Sequence, residues 1–191
     1  MNREHAPAVV IGAAAGTAIA AVLLLRGPRL GYLPGIIFSA IVGLLILRRY
    51  HPTRTLRWLV AALLVAYYAG GALTVKGDVL AHVSLANDVL RYDRGIHVIG
   101  ALITVLLVAE IAGDRHAMGV LLVLAIAAAA GLIVEGVELA TALALPSVFS
   151  YDLVDSSLDV VGNTVGLALG FGALLWVRRR SVTSHRTVRS A

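Results

Sequence analysis

Residues 117–140 read AMGVLLVLAIAAAAGLIVEGVELA, and from Ala117 to Val134 no side chain carries a charge. A helix needs about 20 predominantly apolar residues with few or no charges to cross a bilayer. A surface helix of a soluble domain would break such a run with a polar face, and here none appears before Glu135. This stretch decides the fold class: an all-α, polytopic transmembrane helix bundle.

The rest of the chain follows the same pattern. Hydrophobic residues make up 59% of it and charged ones only 14%, against about a quarter charged in soluble domains. The charges are also segregated into short Arg-rich clusters between long apolar runs. Six spans are expected, at Ala8–Leu25, Leu30–Leu47, Leu56–Val75, Gly95–Ala112, Ala117–Ala140 and Ser157–Val177. Together they form a single integral membrane domain over residues 1–191, with a basic cytoplasmic tail at 178–191. The first run ends in Arg26-Gly27-Pro28-Arg29 without a small-residue cleavage site, so it reads as an uncleaved span rather than a signal peptide. Pro146 stops the fifth helix.

Short loops rich in Lys and Arg face the cytoplasm. Alternating the six spans puts 11 of the 16 basic residues on one side, with both termini, and 5 on the other. Both termini are therefore expected in the cytoplasm, in a multi-pass protein of the cell membrane. Topology accounts for the net charge of +5, and a nucleic-acid partner is not expected. The absence of cysteine excludes disulfides, thiolate metal sites and Cys nucleophiles. Between the third and fourth spans, Asp78 is placed to cap a short surface helix whose Val79, Val83, Ala86 and Leu90 share a face.

Most of the 11 acidic residues fall on the expected outer side, at similar depths from distant parts of the chain. Asp93, Arg94 and His97 open the fourth span. Glu135 and Glu138 lie near the outer end of the fifth, three residues apart and so on neighbouring parts of one face. Asp155, Asp159 and Asn163 form an i, i+4, i+8 stripe entering the sixth. Ionisable groups inside a membrane are costly and mark functional sites by default. Asp93, Asp152 and Asp155 are shallow enough for water to solvate them, whereas Glu135, Asp159 and Asn163 lie deeper. Glu138 is placed between these cases, and an ion pair with Arg94 would give it a structural role. Glu110, at the opposite end near Arg115, reads as structural. Gly162, Gly166 and Gly170, at every fourth position, allow helices to approach closely in lipid.

In the enzyme reading, His97, Glu135 and Asp159 are catalytic, and Asp93, Arg94, Glu138, Asp155 and Asn163 bind substrate. Carboxylates with an imidazole serve as general acid and base, or hold a divalent cation. The oxygen-rich ligand set favours Mg²⁺, Mn²⁺ or Ca²⁺, with Zn²⁺ also compatible, and leaves the cofactor open. An ion- or proton-coupled transporter and a non-catalytic scaffold are the alternatives.

Three segments together resemble the VanZ-like group of bacterial membrane proteins and the related YjdF-type inner-membrane proteins. They are Tyr92-Asp93-Arg94-Gly95-Ile96-His97, Glu135-Gly136-Val137-Glu138, and Asp155-Ser156-Ser157-Leu158-Asp159-Val160-Val161-Gly162-Asn163-Thr164-Val165-Gly166. The likeness covers roughly residues 92–177, with Arg94 where the group has Lys and Glu138 where it has Gln. It implies an envelope role: some members are associated with resistance to the glycopeptide teicoplanin. Membrane lipids and a lipid-linked envelope ligand are the partners it suggests.

Overall fold

The computed structural model describes residues 52–76, 78–85, 91–113, 119–144, 146 and 152–188, with isolated positions between 12 and 50. The expected spans Ala8–Leu25 and Leu30–Leu47 lie, apart from those isolated positions, outside the described residues. Four long helices run through the described residues from 52 onward: α1 (Arg54–Ala72), α2 (Tyr92–Ala112), α3 (Val120–Ala144) and α4 (Leu153–Val188). All four are long and apolar enough to cross a membrane.

Their outer surfaces are apolar. Leu121 of α3 is 82% exposed and Leu143 is 74% exposed, which water would disfavour and acyl chains would not. The buried contacts centre on α2. Leu56 and Val60 of α1 pack on Ile103 and Leu107, while Val105 packs with Val123 and Ala127 of α3 and with Leu167 of α4.

The closest approach is between α2 and α4, where the glycine stripe lies. A methyl carbon built on Gly166 would sit 2.2 Å from the Val98 carbonyl oxygen, and one on Gly170 would sit 2.8 Å from Val105 Cβ. Without a hydrophobic driving force between helices in lipid, this kind of backbone contact is what holds them together.

Helix ends differ from expectation by a few residues, each for a local reason. α2 starts at Tyr92, and within its first turn the Asp93 carboxylate accepts the N–H of Arg94 at 2.8 Å. α4 starts at Leu153, with Asp152 as its cap: Asp152 Oδ1 accepts the Val154 N–H at 2.8 Å. It then runs to Val188, so the basic stretch beginning at Arg178 continues the helix rather than starting a separate tail. α1 ends at Ala72, short of the expected Val75.

The expected surface helix capped by Asp78 does not form. Thr74–Val75 and Asp78–Val79 instead make a two-stranded antiparallel hairpin, followed by a short 3₁₀ turn at Leu80–His82. The competing signal is the turn: Lys76, followed in sequence by Gly77, takes a positive φ of 52°. Two-residue hairpin loops favour such a backbone. Ala86 and Leu90 of the expected helix lie outside the described residues.

Tyr92, the first residue of α2, reaches across to α1. Its hydroxyl donates to the Ala66 carbonyl at 2.8 Å, and its ring lies 3.1 Å from where a side chain on Gly70 would begin. It therefore ties the end of α1 to the start of α2. At the other end of the same pair, Glu110 has the structural role expected of it, with a different partner. Its carboxylate accepts the Thr53 backbone N–H and, at 2.9 Å, the Thr53 hydroxyl. A negative charge there satisfies the open N-terminus of α1. Arg115 lies outside the described residues.

A candidate polar site at one end of the bundle

The site is built from the first two turns of α2, the last third of α3 and the first three turns of α4. Antiparallel succession brings these segments to the same end, as expected from their depth. Arg94 and His97 are one turn apart on α2 and face α4. Gly162 of α4 lies against them: a methyl carbon there would be in ordinary contact, 3.4 Å from the Arg94 carbonyl oxygen and 3.5 Å from His97 Cβ.

His97 stands between two carboxylates. Its Nδ1 is 3.5 Å from Glu135 Oε1, and its Nε2 is 4.0 Å from Asp159 Oδ2. Both acids are buried, Glu135 at 7% exposure and Asp159 at 5%. Neither Glu135 oxygen makes a hydrogen bond among the described residues, nor does Asp159 Oδ1. Buried carboxylate oxygens in that condition are rare, because each costs the full desolvation of the group.

Beside this trio is an arginine–carboxylate network. Arg94 Nη2 donates to Asp155 Oδ1 at 2.5 Å, and Arg91 Nη1 donates to the same oxygen at 3.1 Å. Arg94 Nε lies 3.9 Å from Asp159 Oδ1. Arg94 is therefore buried against acids rather than presented to a ligand, while Arg91 keeps a third of its side chain exposed. Arg91 was not among the residues expected from the sequence. The signal was a second arginine one turn before Arg94, facing the acidic end of the last span.

The remaining candidates fall close by. Asp93 can bring an oxygen within 4.8 Å of oxygens of Asp155 and Asp159. Glu138, one turn beyond Glu135, lies in electrostatic range of Glu135, Asp159, Asp93 and Asp155. The pairing expected as its structural role was with Arg94, whose ion pairs here run to Asp155 and Asp159. Asn163 lies across α3, its Nδ2 only 3.2 Å from where a side chain on Gly131 would begin. It fills the seam between α3 and α4 directly below the acids. Asp152 is a helix cap at the exposed rim.

Chemically, the trio offers one imidazole and two carboxylates in a confined space, next to guanidinium groups. That set can exchange protons, hold a cation or accept a polar headgroup. Comparison with family models, with curated proteins and with solved structures found no match for this chain.

Proposed function

We propose that this chain is a VanZ-like membrane protein of the cell envelope whose polar site opens at the outer face and binds or acts on a lipid-linked envelope ligand. The observation that carries this reading is the convergence of His97, Glu135 and Asp159, two of them buried with oxygens that make no hydrogen bond among the described residues. Groups this costly in a membrane are retained where they meet a ligand or reacting atoms. In this reading His97, flanked by Glu135 and Asp159, exchanges protons with the ligand. Arg91, the more exposed arginine, meets an anionic headgroup, and Arg94 positions Asp155 and Asp159. Asp93, Glu138 and Asn163 shape the surrounding pocket.

A lipid-linked substrate suits a site at one end of apolar helices, because its tail stays in the bilayer while its headgroup reaches the polar cluster. Transport is the second reading. The acids gather at one end rather than at the midplane, and Glu110 at the opposite end is held by Thr53, which disfavours a relay through the four described helices.

Two measurements test the proposal. Glu135→Gln and Asp159→Asn are expected to insert and fold normally, since removing charge from a membrane segment eases insertion. Both should lose the cellular phenotype, read as glycopeptide susceptibility and envelope-lipid profile. Full activity in both variants would reduce the cluster to a structural feature. For orientation, a cysteine at Ser84, in the loop beside the site, should label with an impermeant maleimide in intact cells, and one at Thr183 should not. The reverse labelling pattern would place the site in the cytoplasm and end the outer-leaflet reading.

A further inference from the structure

We infer that His97, Glu135 and Asp159 form a binding site for one divalent metal cation. The inference rests on the same cluster as the envelope-ligand reading and gives it a cofactor, with His97 as a metal ligand in place of the proton-exchanging group.

One ligand atom from each of the three residues lies within 4.8 Å of the other two. Metal–nitrogen and metal–oxygen bonds of about 2.0–2.2 Å require ligand atoms roughly 3–3.5 Å apart. The contraction needed is about 1 Å, within reach of small side-chain rotations. Three protein ligands also leave a coordination position open, as in catalytic sites.

Orphaned oxygens give the independent support. Glu135 and Asp159 are both more than nine-tenths buried, and three of their four carboxylate oxygens make no hydrogen bond among the described residues, with His97 and Arg94 nitrogens near two of them but beyond bonding geometry. A cation bound among them would supply the missing partner. Charge balance points the same way. Among the described residues, Asp93, Glu135, Glu138, Asp155 and Asp159 have Arg91, Arg94 and the imidazole as their cationic or ionisable nitrogen neighbours. Carboxylates thus outnumber guanidinium groups in a low-dielectric setting.

A second acidic trio, Asp93, Asp155 and Asp159, shares Asp159 with the first. It is the weaker candidate. Asp155 is already engaged by Arg91 and Arg94, and Asp93 Oδ1 accepts the Arg94 N–H. The imidazole further distinguishes the first set: one nitrogen with two carboxylates suits Mn²⁺ or Zn²⁺ better than Ca²⁺ or Mg²⁺.

The test uses the full chain, purified in detergent and stripped with a chelator. Mn²⁺ is titrated while free ion is followed by electron paramagnetic resonance, and Zn²⁺ is then added as competitor. Saturable binding of one Mn²⁺ per chain is expected, weakened at least tenfold in Glu135→Gln and in Asp159→Asn. Asp152→Asn removes a nearby rim charge but keeps a helix cap, and should bind as the parent does. Mn²⁺ should also raise the unfolding temperature of the parent and not of the two site variants, since a ligand stabilises only a state that binds it. A folded parent chain without saturable binding overturns the inference, as does unchanged affinity in both site variants. The two proposals fail separately. Metal binding with an intact phenotype in the variants removes the envelope-ligand reading alone, whereas a lost phenotype without metal binding in the parent removes this one alone.

Discussion

Replacing Gly166 with alanine is expected to force α4 away from α2 and to lower the folded yield sharply. The added carbon would lie 2.2 Å from the Val98 carbonyl oxygen and 2.7 Å from Ala101 Cβ. Neither neighbour can rotate aside, because one is helix backbone and the other is fixed to it. Overpacking of a closed contact costs about 1–3 kcal/mol, occasionally more, and a backbone collision belongs at the upper end. The damage should reach the site too, since Gly162 and Asp159 lie on the same helix and would move away from His97 and Arg94. Gly172→Ala is the matching control: nothing lies within 4 Å of the new carbon there. Replacing glycine with alanine in an open helical position gains up to about 1 kcal/mol of helix propensity. Thermal unfolding in detergent should therefore show Gly166→Ala well below the parent and Gly172→Ala at or above it. Equal stability of the two variants would mean that the α2–α4 contact is looser than described.

The second large effect is expected from Arg94→Met, which keeps most of the side-chain volume and removes the buried guanidinium. Asp155 would retain Arg91 and partial access to solvent, so it should tolerate the loss. Asp159 is the residue exposed to the change. It is buried, and Arg94 Nε lies 3.9 Å from its Oδ1. Removing one partner of a buried ion pair typically costs about 3–5 kcal/mol, because the remaining charge is left uncompensated. Combining Arg94→Met with Asp159→Asn should restore much of that stability. A double-mutant cycle on unfolding midpoints measures the coupling. Additive losses would show that Arg94 acts through packing and not through charge.

The four described apolar helices were legible because an apolar run of sufficient length has few alternatives to crossing a membrane. Their ends were less so. Asp152 caps the N-terminus of α4, and Asp93 accepts a free N–H inside the first turn of α2, effects that apolarity alone does not register. The segment after α1 was misread as a surface helix because its Val and Leu spacing has a helical period. The turn at Lys76 prevailed, producing the Thr74–Val75 and Asp78–Val79 hairpin. His97, Glu135 and Asp159 were recognisable as a group because each lies at a similar depth along its own helix. The role of Arg91, the pairing of Glu110 with Thr53 and the seat of Asn163 over Gly131 were not. Each depends on a neighbour distant in the chain.

By itself the sequence determined the quantities that run along a helix axis: which segments are long and apolar enough to span, and at which end the acids gather. A rise of about 1.5 Å per residue turns sequence position directly into depth. Only the tertiary structure decided rotation and distance. Lipid tails are as apolar as a leucine-lined helix face, so hydrophobic patterning does not dictate which side of such a helix turns inward. Close packing decides it instead. The small surfaces of Gly162, Gly166 and Gly170 let α4 settle against α2 in one orientation. That orientation brings Asp159 beside Arg94 and His97.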